Sequence, residues 1–154
     1  MVFEKILVSI DGSEPSLKAL GVAAELAKRC NSKKIVLVNV YSVVVPAYGF
    51  AQEPGGYEVD PGLYQNLLDA ARGNSTRILV DGKNVVSAQG IPVEMVEALS
   101  IEGHVVETIV RTAREGDFGL IVLGHRGTSR FEMLLGSVSH GVTRHATCPV
   151  LVVR

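Results

Sequence analysis

The chain has 154 residues, a length that fits one domain, so we assign residues 1–154 to a single domain. Apolar residues make up 47% of the chain, charged residues make up 20%, and the formal net charge is −1. This composition is typical of a folded protein and excludes a disordered chain. The near-neutral charge also argues against a nucleic-acid-binding protein, which would carry a basic face.

The sequence indicates neither a membrane protein nor a secreted protein. No apolar run approaches the roughly 20 residues that span a bilayer. Glu4 and Lys5 interrupt the opening segment where a secretory signal would need an apolar stretch. Cys30 and Cys148 are too few for a disulfide scaffold and fit a reducing compartment. We therefore expect a soluble cytoplasmic protein with no membrane or nucleic-acid partner.

The first part of the chain alternates short β-branched runs with a longer helical pattern. Lys5–Ile10 is an apolar run that ends before Asp11 and predicts a buried strand. Ser13 is a suitable N-cap for a helix that continues to about Cys30. Lys34–Tyr41 is almost continuously apolar, as expected for a strand that is covered on both faces.

The middle of the chain gives weaker patterns. Ser42–Gly62 contains three prolines and four glycines, has no period, and predicts a long loop. The pattern from Leu63 to about Gln89 is helical. Because Gly73 and Gly82 each cost about 1 kcal/mol relative to alanine in a helix, one long helix and two shorter helices both fit.

The remaining residues continue the alternation. We predict strands at Ile91–Leu99, Phe118–Leu123 and Pro149–Val153, with helices at Glu102–Arg114 and Gly136–His145. Strands that alternate with helices imply a parallel sheet with right-handed crossovers and helices on both faces. The predicted fold class is therefore α/β and Rossmann-like. In such sheets, ligands bind outside the carboxyl ends of the strands.

A glycine-rich segment, GHRGTSRFEMLLGS, follows the predicted fourth strand. Gly124 and Gly127 would let the backbone approach a ligand closely. Gly136 and Ser137 open a helix, where free N–H groups and the helix dipole favour an anion. A phosphate chain would suit this segment, although glycines that only form turns fit the spacing equally well. Two arginines add positive charge here: Arg126 and Arg130.

Asp11 ends the first predicted strand and is the second candidate. Its carboxylate could accept hydrogen bonds from ribose hydroxyls or hold a magnesium ion. Taken alone, an aspartate before Gly12 favours a purely structural N-cap or turn over a ligand contact. His125, within the glycine-rich segment, is the one histidine placed to act as a catalytic base.

Together these residues resemble the universal stress protein family. The similar stretches are KILVSIDGSEPSLKAL, IVLVNVY and LIVLGHRGTSRFEMLLGSVSHGVTRHATCPVLVV. The nucleotide-binding branch of that family carries a glycine, two residues, a glycine, nine residues, a glycine, and then serine or threonine. The chain matches at Gly124, Gly127, Gly136 and Ser137, but it has eight residues, Thr128–Leu135, where the family has nine.

The resemblance implies a five-stranded parallel sheet of order 3-2-1-4-5 and a site for ATP, with Mg²⁺ as a further expected ligand at Asp11. Asp11 would contact the ribose, and Val40 would meet the adenine through its backbone. Arg126 is a further candidate for ligand contact. The resemblance assigns the phosphates to Gly124, Gly127, Gly136, Ser137 and Val138.

The resemblance also implies a function: an adenine-nucleotide-binding protein of the stress response that acts as a nucleotide-dependent homodimeric sensor. The sequence favours binding over catalysis, because no hydrolase motif accompanies His125. Two alternatives stay open, a slow ATPase and a nucleotide-free dimeric interaction module.

The two edge strands of the expected sheet differ in how they would tolerate a partner. The last strand, Val150–Val153, carries no charge, so its edge is unprotected. The strand at the other edge is associated with Pro92, Glu94 and Glu97, which discourage pairing. We expect a homodimer through the Val150–Val153 strands, which the resemblance also implies.

Overall fold

The structure, a computed structural model, describes residues 3–43, 50–53, 56–59, 61–125 and 136–154. In chain order the elements are β1 (Lys5–Ser9), α1 (Glu14–Arg29), β2 (Lys34–Tyr41), β3 (Phe50–Glu53), β4 (Gly56–Val59), α2 (Pro61–Ala88), β5 (Val96–Glu102), α3 (Val105–Glu115), β6 (Leu120–Gly124), α4 (Ser137–His145) and β7 (Val150–Val153). Strands and helices alternate as the sequence predicts, except that two short strands, β3 and β4, follow β2 directly.

Five parallel strands form the main sheet in the order β5-β2-β1-β6-β7. Counted within this sheet, the order is 3-2-1-4-5, so the predicted topology is confirmed. β1 is the central strand, and its Leu7 pairs with Val36 of β2 on one side and Ile121 of β6 on the other. Among the described residues, no helix is both long enough and apolar enough to cross a membrane.

Helices cover both faces of the sheet and create two apolar layers. One layer packs α1 and α2 against the sheet, with Leu20 and Leu37 fully buried in it. The other packs α3 and α4, with Ile109 and Ile121 fully buried. Because a strand sends alternate side chains into the two layers, β2 and β6 are apolar along most of their length rather than at every second residue.

The start of α1 follows the predicted capping pattern. Ser13 has an extended backbone, and its Oγ accepts a hydrogen bond from the Ser16 N–H at 3.4 Å. Glu14 lies in the first turn, whereas Lys28 and Arg29 lie in the last, which complements the helix dipole at both ends. The predicted cap at Ser13 is therefore confirmed.

α2 is a single helix of 28 residues, which decides between the two arrangements that the sequence allowed. Gly82 is tightly packed, since a Cβ there would lie 2.6 Å from Ile10 Cδ1 and 3.2 Å from Leu37 Cδ1, and a larger residue would force these side chains to shift. A Cβ at Gly73 would meet nothing within 4 Å. The two glycines therefore have opposite consequences for stability.

We predict that Gly82→Ala lowers the free energy of unfolding by about 1–3 kcal/mol, because the added methyl overpacks the contact with Ile10. Gly73→Ala should raise it by about 0.5–1 kcal/mol, because alanine loses less backbone entropy in a helix. Urea unfolding of both variants measures the difference. Equal midpoints for the two variants would contradict this account of α2.

The predicted strand at Ile91–Leu99 is wrong at both ends. Pro92 has a backbone φ of −57°, and Val93–Met95 form a 3₁₀ turn after it. β5 therefore starts only at Val96 and continues to Glu102, since its last residues pair with β2. Because the turn contains Val93 and Met95, its apolar residues cannot be distinguished from those of a strand in the sequence.

Two further predictions need correction because β5 is shifted. Pro92 and Glu94 precede the strand and do not protect its edge, while Glu97 forms an ion pair with Lys34 at 2.6 Å. The following helix, α3, begins at Val105 and not at the predicted Glu102.

The segment Ser42–Gly62, predicted as a loop without regular structure, contains the antiparallel pair β3 and β4. Each of these strands has only four residues, too short for an alternating pattern to stand out in the sequence. The prediction of a loop across the whole segment is therefore wrong at β3 and β4.

Candidate functional site

A cavity of about 230 Å³ lies at the carboxyl end of the sheet. Two of the predicted site residues, Arg126 and Gly127, lie outside the residues that the structure describes, as does Arg130. The structure brings the other six together around this single cavity: Asp11, Val40, Gly124, Gly136, Ser137 and Val138.

The cavity opens where two neighbouring strands send the chain in opposite directions. β1 leads to α1 on one face of the sheet, and β6 leads to α4 on the other. Because the two connections diverge, they leave a crevice between the carboxyl ends of β1 and β6. This is the topological switch point at which open parallel sheets bind ligands.

The Asp11 carboxylate lies at one wall of the cavity, and hydrogen bonds fix its orientation. Its Oδ1 accepts hydrogen bonds from the Ser13 N–H at 3.0 Å and the Ser13 Oγ at 2.5 Å. In the described part of the chain, no group donates to Oδ2. One oxygen is thus used to orient the side chain, and the other can accept from a ligand hydroxyl or bind a cation.

The first turn of α4 forms the opposite wall. Gly136 caps the helix without a side-chain hydrogen bond, and the first intrahelical bond runs from the His140 N–H to the Gly136 carbonyl at 2.9 Å. The N–H groups of Ser137, Val138 and Ser139 precede that bond and belong to the unsatisfied first turn. Such a turn attracts an anion.

The two helix starts at the cavity are not equivalent. The start of α1 is already satisfied by Ser13 and carries an acidic residue, Glu14. The start of α4 has no acidic residue in its first turn and no side-chain cap. An anion is therefore expected at α4 and not at α1.

Gly124 allows β6 to approach α1 at the base of the cavity. A Cβ at this position would lie 2.7 Å from the Pro15 carbonyl carbon and 2.8 Å from its oxygen. Those atoms are backbone, so they cannot move aside as a flexible side chain would. The glycine is thus needed for the fold of the site as well as for access by a ligand.

His125 lies next to the cavity but does not line it. Its N–H donates to the Val153 carbonyl at 2.7 Å, and its ring Nδ1 lies 3.2 Å from the same oxygen. Its own carbonyl accepts from the Gly136 N–H at 2.8 Å and from the Ser139 Oγ at 2.9 Å. In this arrangement the candidate base joins β7 to α4 and is not among the described residues that line the cavity.

Among the described residues that line the cavity, Asp11 is the one titratable side chain. The described part of the chain also contains no group of three or more histidine, cysteine, aspartate or glutamate residues that could hold a metal. A magnesium ion commonly binds through one or two carboxylates together with substrate phosphates and water. Asp11 fits that role only with a phosphorylated ligand present.

Several lining residues were not predicted from the sequence. Asn39 is the most detectable, since it is the one polar residue within the apolar run IVLVNVY before Tyr41. The hydroxyl of Ser16 has no comparable signal, because serine is common near the start of helices. Ser139 was expected to add a hydroxyl donor at the start of α4, and it does line the cavity. The lining residues that the sequence did not single out are Ser9, Ile10, Ser16, Asn39, Val105 and Leu123.

A second polar cluster lies near the carboxyl ends of β2 and β5 but does not line the cavity. Arg72 of α2 donates to the Tyr41 hydroxyl at 3.3 Å, and this bond raises the pKa of the guanidinium. The Tyr64 hydroxyl donates to Glu102 at 3.3 Å, and the negative charge of Glu102 raises the pKa of Tyr64. These bonds attach α2 to the sheet.

Comparison with known proteins establishes the family. The family model for universal stress proteins matches residues 3–154, almost the whole chain. The chain belongs to the universal stress protein family. Among its universal stress protein relatives, YxiE from Bacillus subtilis is 35% identical over 154 residues, covering 99% of this chain and 100% of YxiE.

Solved universal stress proteins have the same fold. UspA from Lactobacillus plantarum is 25% identical, with a TM-score of 0.80, and the match covers 99% of this chain and 98% of that one. A universal stress protein crystallised in complex with cAMP is also 25% identical, with a TM-score of 0.72, and the match covers 100% and 99% of the two chains. The predicted family and fold are both confirmed.

Proposed function

We propose that the cavity binds an adenine nucleotide. The observation that carries the proposal is that a carboxylate and an unsatisfied helix N-terminus face one cavity, with apolar side chains between them. A nucleotide has the matching parts: hydroxyl donors on its ribose, an anionic phosphate, and a flat base. The cAMP complex of a relative supports adenine as the base.

Each part of the nucleotide has a proposed partner. The ribose hydroxyls donate to Asp11, and the base lies against Val40 and Val105. The phosphate accepts hydrogen bonds from the first turn of α4 and from the Ser137 hydroxyl. We further propose ATP as the working ligand, with Mg²⁺ held jointly by Asp11 and the phosphates.

We propose that the protein acts as a homodimeric sensor through β7. All four residues of this edge strand, Val150–Val153, are half-buried although helices cover both faces of the sheet. The His125 backbone forms hydrogen bonds with both Val153, at the end of this strand, and Gly136, at the start of α4. A single residue, His125, therefore connects the proposed phosphate site with the proposed dimer edge. This connection supports coupling between nucleotide binding and dimerisation.

Calorimetric titration of the protein with AMP, ATP and GMP tests the proposed ligand. We expect one AMP or ATP per chain, and binding of GMP that is weaker by at least about tenfold, equivalent to roughly 1.4 kcal/mol. Magnesium should strengthen the binding of ATP more than that of AMP, because it needs the phosphate chain. The absence of heat with AMP at millimolar concentration would contradict the proposal.

A further inference from the structure

The peptide group between Ile10 and Asp11 is held at both of its polar atoms by buried side chains. The Asn39 Nδ2 donates to the Ile10 carbonyl at 2.7 Å. The Asp11 N–H donates to the Ser16 Oγ at 3.4 Å. Asn39 and Ser16 are only 5% and 3% exposed, so both side chains are fixed within the protein.

This peptide lies just beyond the region that the sheet can hold. β1 ends at Ser9, and the Ile10 N–H still donates to the Val38 carbonyl at 3.0 Å. At Gly12 the backbone turns away with a φ of +80°. Buried backbone groups require partners, and for this peptide the partners are side chains rather than a neighbouring strand.

The same bonds continue to the Asp11 carboxylate. Besides accepting from Asp11, the Ser16 Oγ donates to the Ser13 carbonyl at 2.8 Å. Ser13 in turn donates twice to the Asp11 Oδ1. The backbone and the carboxylate of Asp11 are therefore positioned by one connected set of hydrogen bonds.

Asn39 lines the cavity together with Val40, but the two side chains lie on opposite faces of β2. Its neighbours Val38 and Val40 both pack in the layer that contains α3 and α4. Because side chains alternate along a strand, Asn39 points toward the layer of α1 and α2. Its effect on a ligand near Val40 is thus expected to pass through the Ile10–Asp11 peptide.

We propose that Asn39 and Ser16 are positioning residues that orient Asp11 for hydrogen bonds to the ribose hydroxyls of a nucleotide. The proposal rests on the proposed function and deepens it. It makes ribose recognition, and not phosphate or base recognition, depend on two side chains outside the glycine-rich segment.

The test compares AMP with 2′,3′-dideoxy-AMP, which keeps the base and phosphate but lacks both hydroxyls. Asn39→Leu should weaken AMP binding by about tenfold, the effect of one lost hydrogen bond to a buried group, and leave dideoxy-AMP binding nearly unchanged. Ser16→Ala should show the same pattern and provides a second variant if Asn39→Leu folds poorly. In an Asp11→Ala background, neither substitution should weaken AMP binding further.

Ser75→Ala is the matched control. Ser75 is 1% exposed, and its hydroxyl lies 2.7 Å from that of Ser100, the residue paired with Asn39 across β2 and β5. The Ser75→Ala substitution removes a polar contact from the same layer and leaves the contacts of the Ile10–Asp11 peptide in place. Equal losses for AMP and dideoxy-AMP in Asn39→Leu, no loss for AMP, or the same selective loss in Ser75→Ala would each overturn the proposal.

Amide hydrogen exchange in the nucleotide-free protein separates this proposal from the proposed function. Exchange at residues 11–13 should be about tenfold faster in Asn39→Leu than in the wild type, and unchanged in Ser75→Ala. If the wild type fails to bind AMP, the proposed function falls, and this measurement still decides whether Asn39 holds the turn. Unchanged exchange in Asn39→Leu would overturn the positioning role.

Discussion

Replacing Val152 with proline should convert a dimer of twice 16.4 kDa into a monomer. The carbonyls of Pro149 and Val153 accept hydrogen bonds from the N–H groups of Ile121 and His125. The backbone N–H and C=O groups of the odd-numbered residues of β7 therefore point toward β6. The N–H of Val152 therefore faces outward, where a second β7 would pair. Proline removes that donor without breaking the ladder to β6, and edge strands tolerate its backbone.

Light scattering of Val152→Pro and Val152→Ala measures the change. In a two-fold symmetric interface each substitution acts twice, so proline removes two hydrogen bonds from every dimer. Alanine keeps the N–H and should stay dimeric. A folded Val152→Pro protein with an unchanged dimer mass would show that β7 is not the interface.

Substituting Asp11 with alanine should weaken AMP binding by roughly 10- to 100-fold, the effect of losing hydrogen bonds to a charged group. The fold should survive, because Asp11 is exposed and Ser13 still caps α1. Binding of ATP with Mg²⁺ should weaken more than binding of ATP alone, since the proposed cation loses its one protein carboxylate among the described residues.

Asp81→Ala is the control for Asp11→Ala. Asp81 is an exposed carboxylate on α2 that lies 3.9 Å from Arg77, and it does not line the cavity. The Asp81→Ala substitution removes the same charge from the protein, and the affinities for AMP and for ATP with Mg²⁺ should stay unchanged. If Asp11→Ala binds AMP as tightly as Asp81→Ala does, the ribose contact assigned to Asp11 is wrong.

Local patterns were sufficient to predict the alternation of strands and helices around the main sheet, whereas the strand order came from the family resemblance. The runs at Lys5–Ile10 and Lys34–Tyr41 are apolar without alternation, because each strand contributes side chains to both packed layers. The cap at Ser13 depends on neighbouring residues alone. Features of this kind arise within a few residues along the chain and can be predicted from it.

Features that depend on distant contacts could not be predicted in the same way. A glycine in a helix carries the same local penalty at Gly73 and Gly82, and only the position of Ile10 shows that the second is tightly packed. The late start of β5 depends on where β2 offers hydrogen bonds. Asn39 is polar within an apolar run, but its partner, the Ile10 carbonyl, lies on the connection after β1, 29 residues earlier in the chain.

The candidate site was partly predictable for a general reason. Parallel strands place their carboxyl ends at one edge, so Asp11 and Gly124 were expected near one another before any contact was known, whereas Val40 was expected from the family resemblance. The structure places them around one cavity with the start of α4. The role of His125 depends on the carbonyl of Val153, a contact that no spacing in the sequence indicates.

The most direct test of the proposed nucleotide site follows the AMP titration at individual backbone amides by nuclear magnetic resonance. The account predicts the largest shifts at Asp11, Val40 and Gly124 and in the first turn of α4, at Ser137 and Val138. Amides in the middle of α2 and at the amino ends of the strands should change little. Shifts confined to another surface, or none at saturating AMP, would contradict the assignment of this cavity as an adenine nucleotide site.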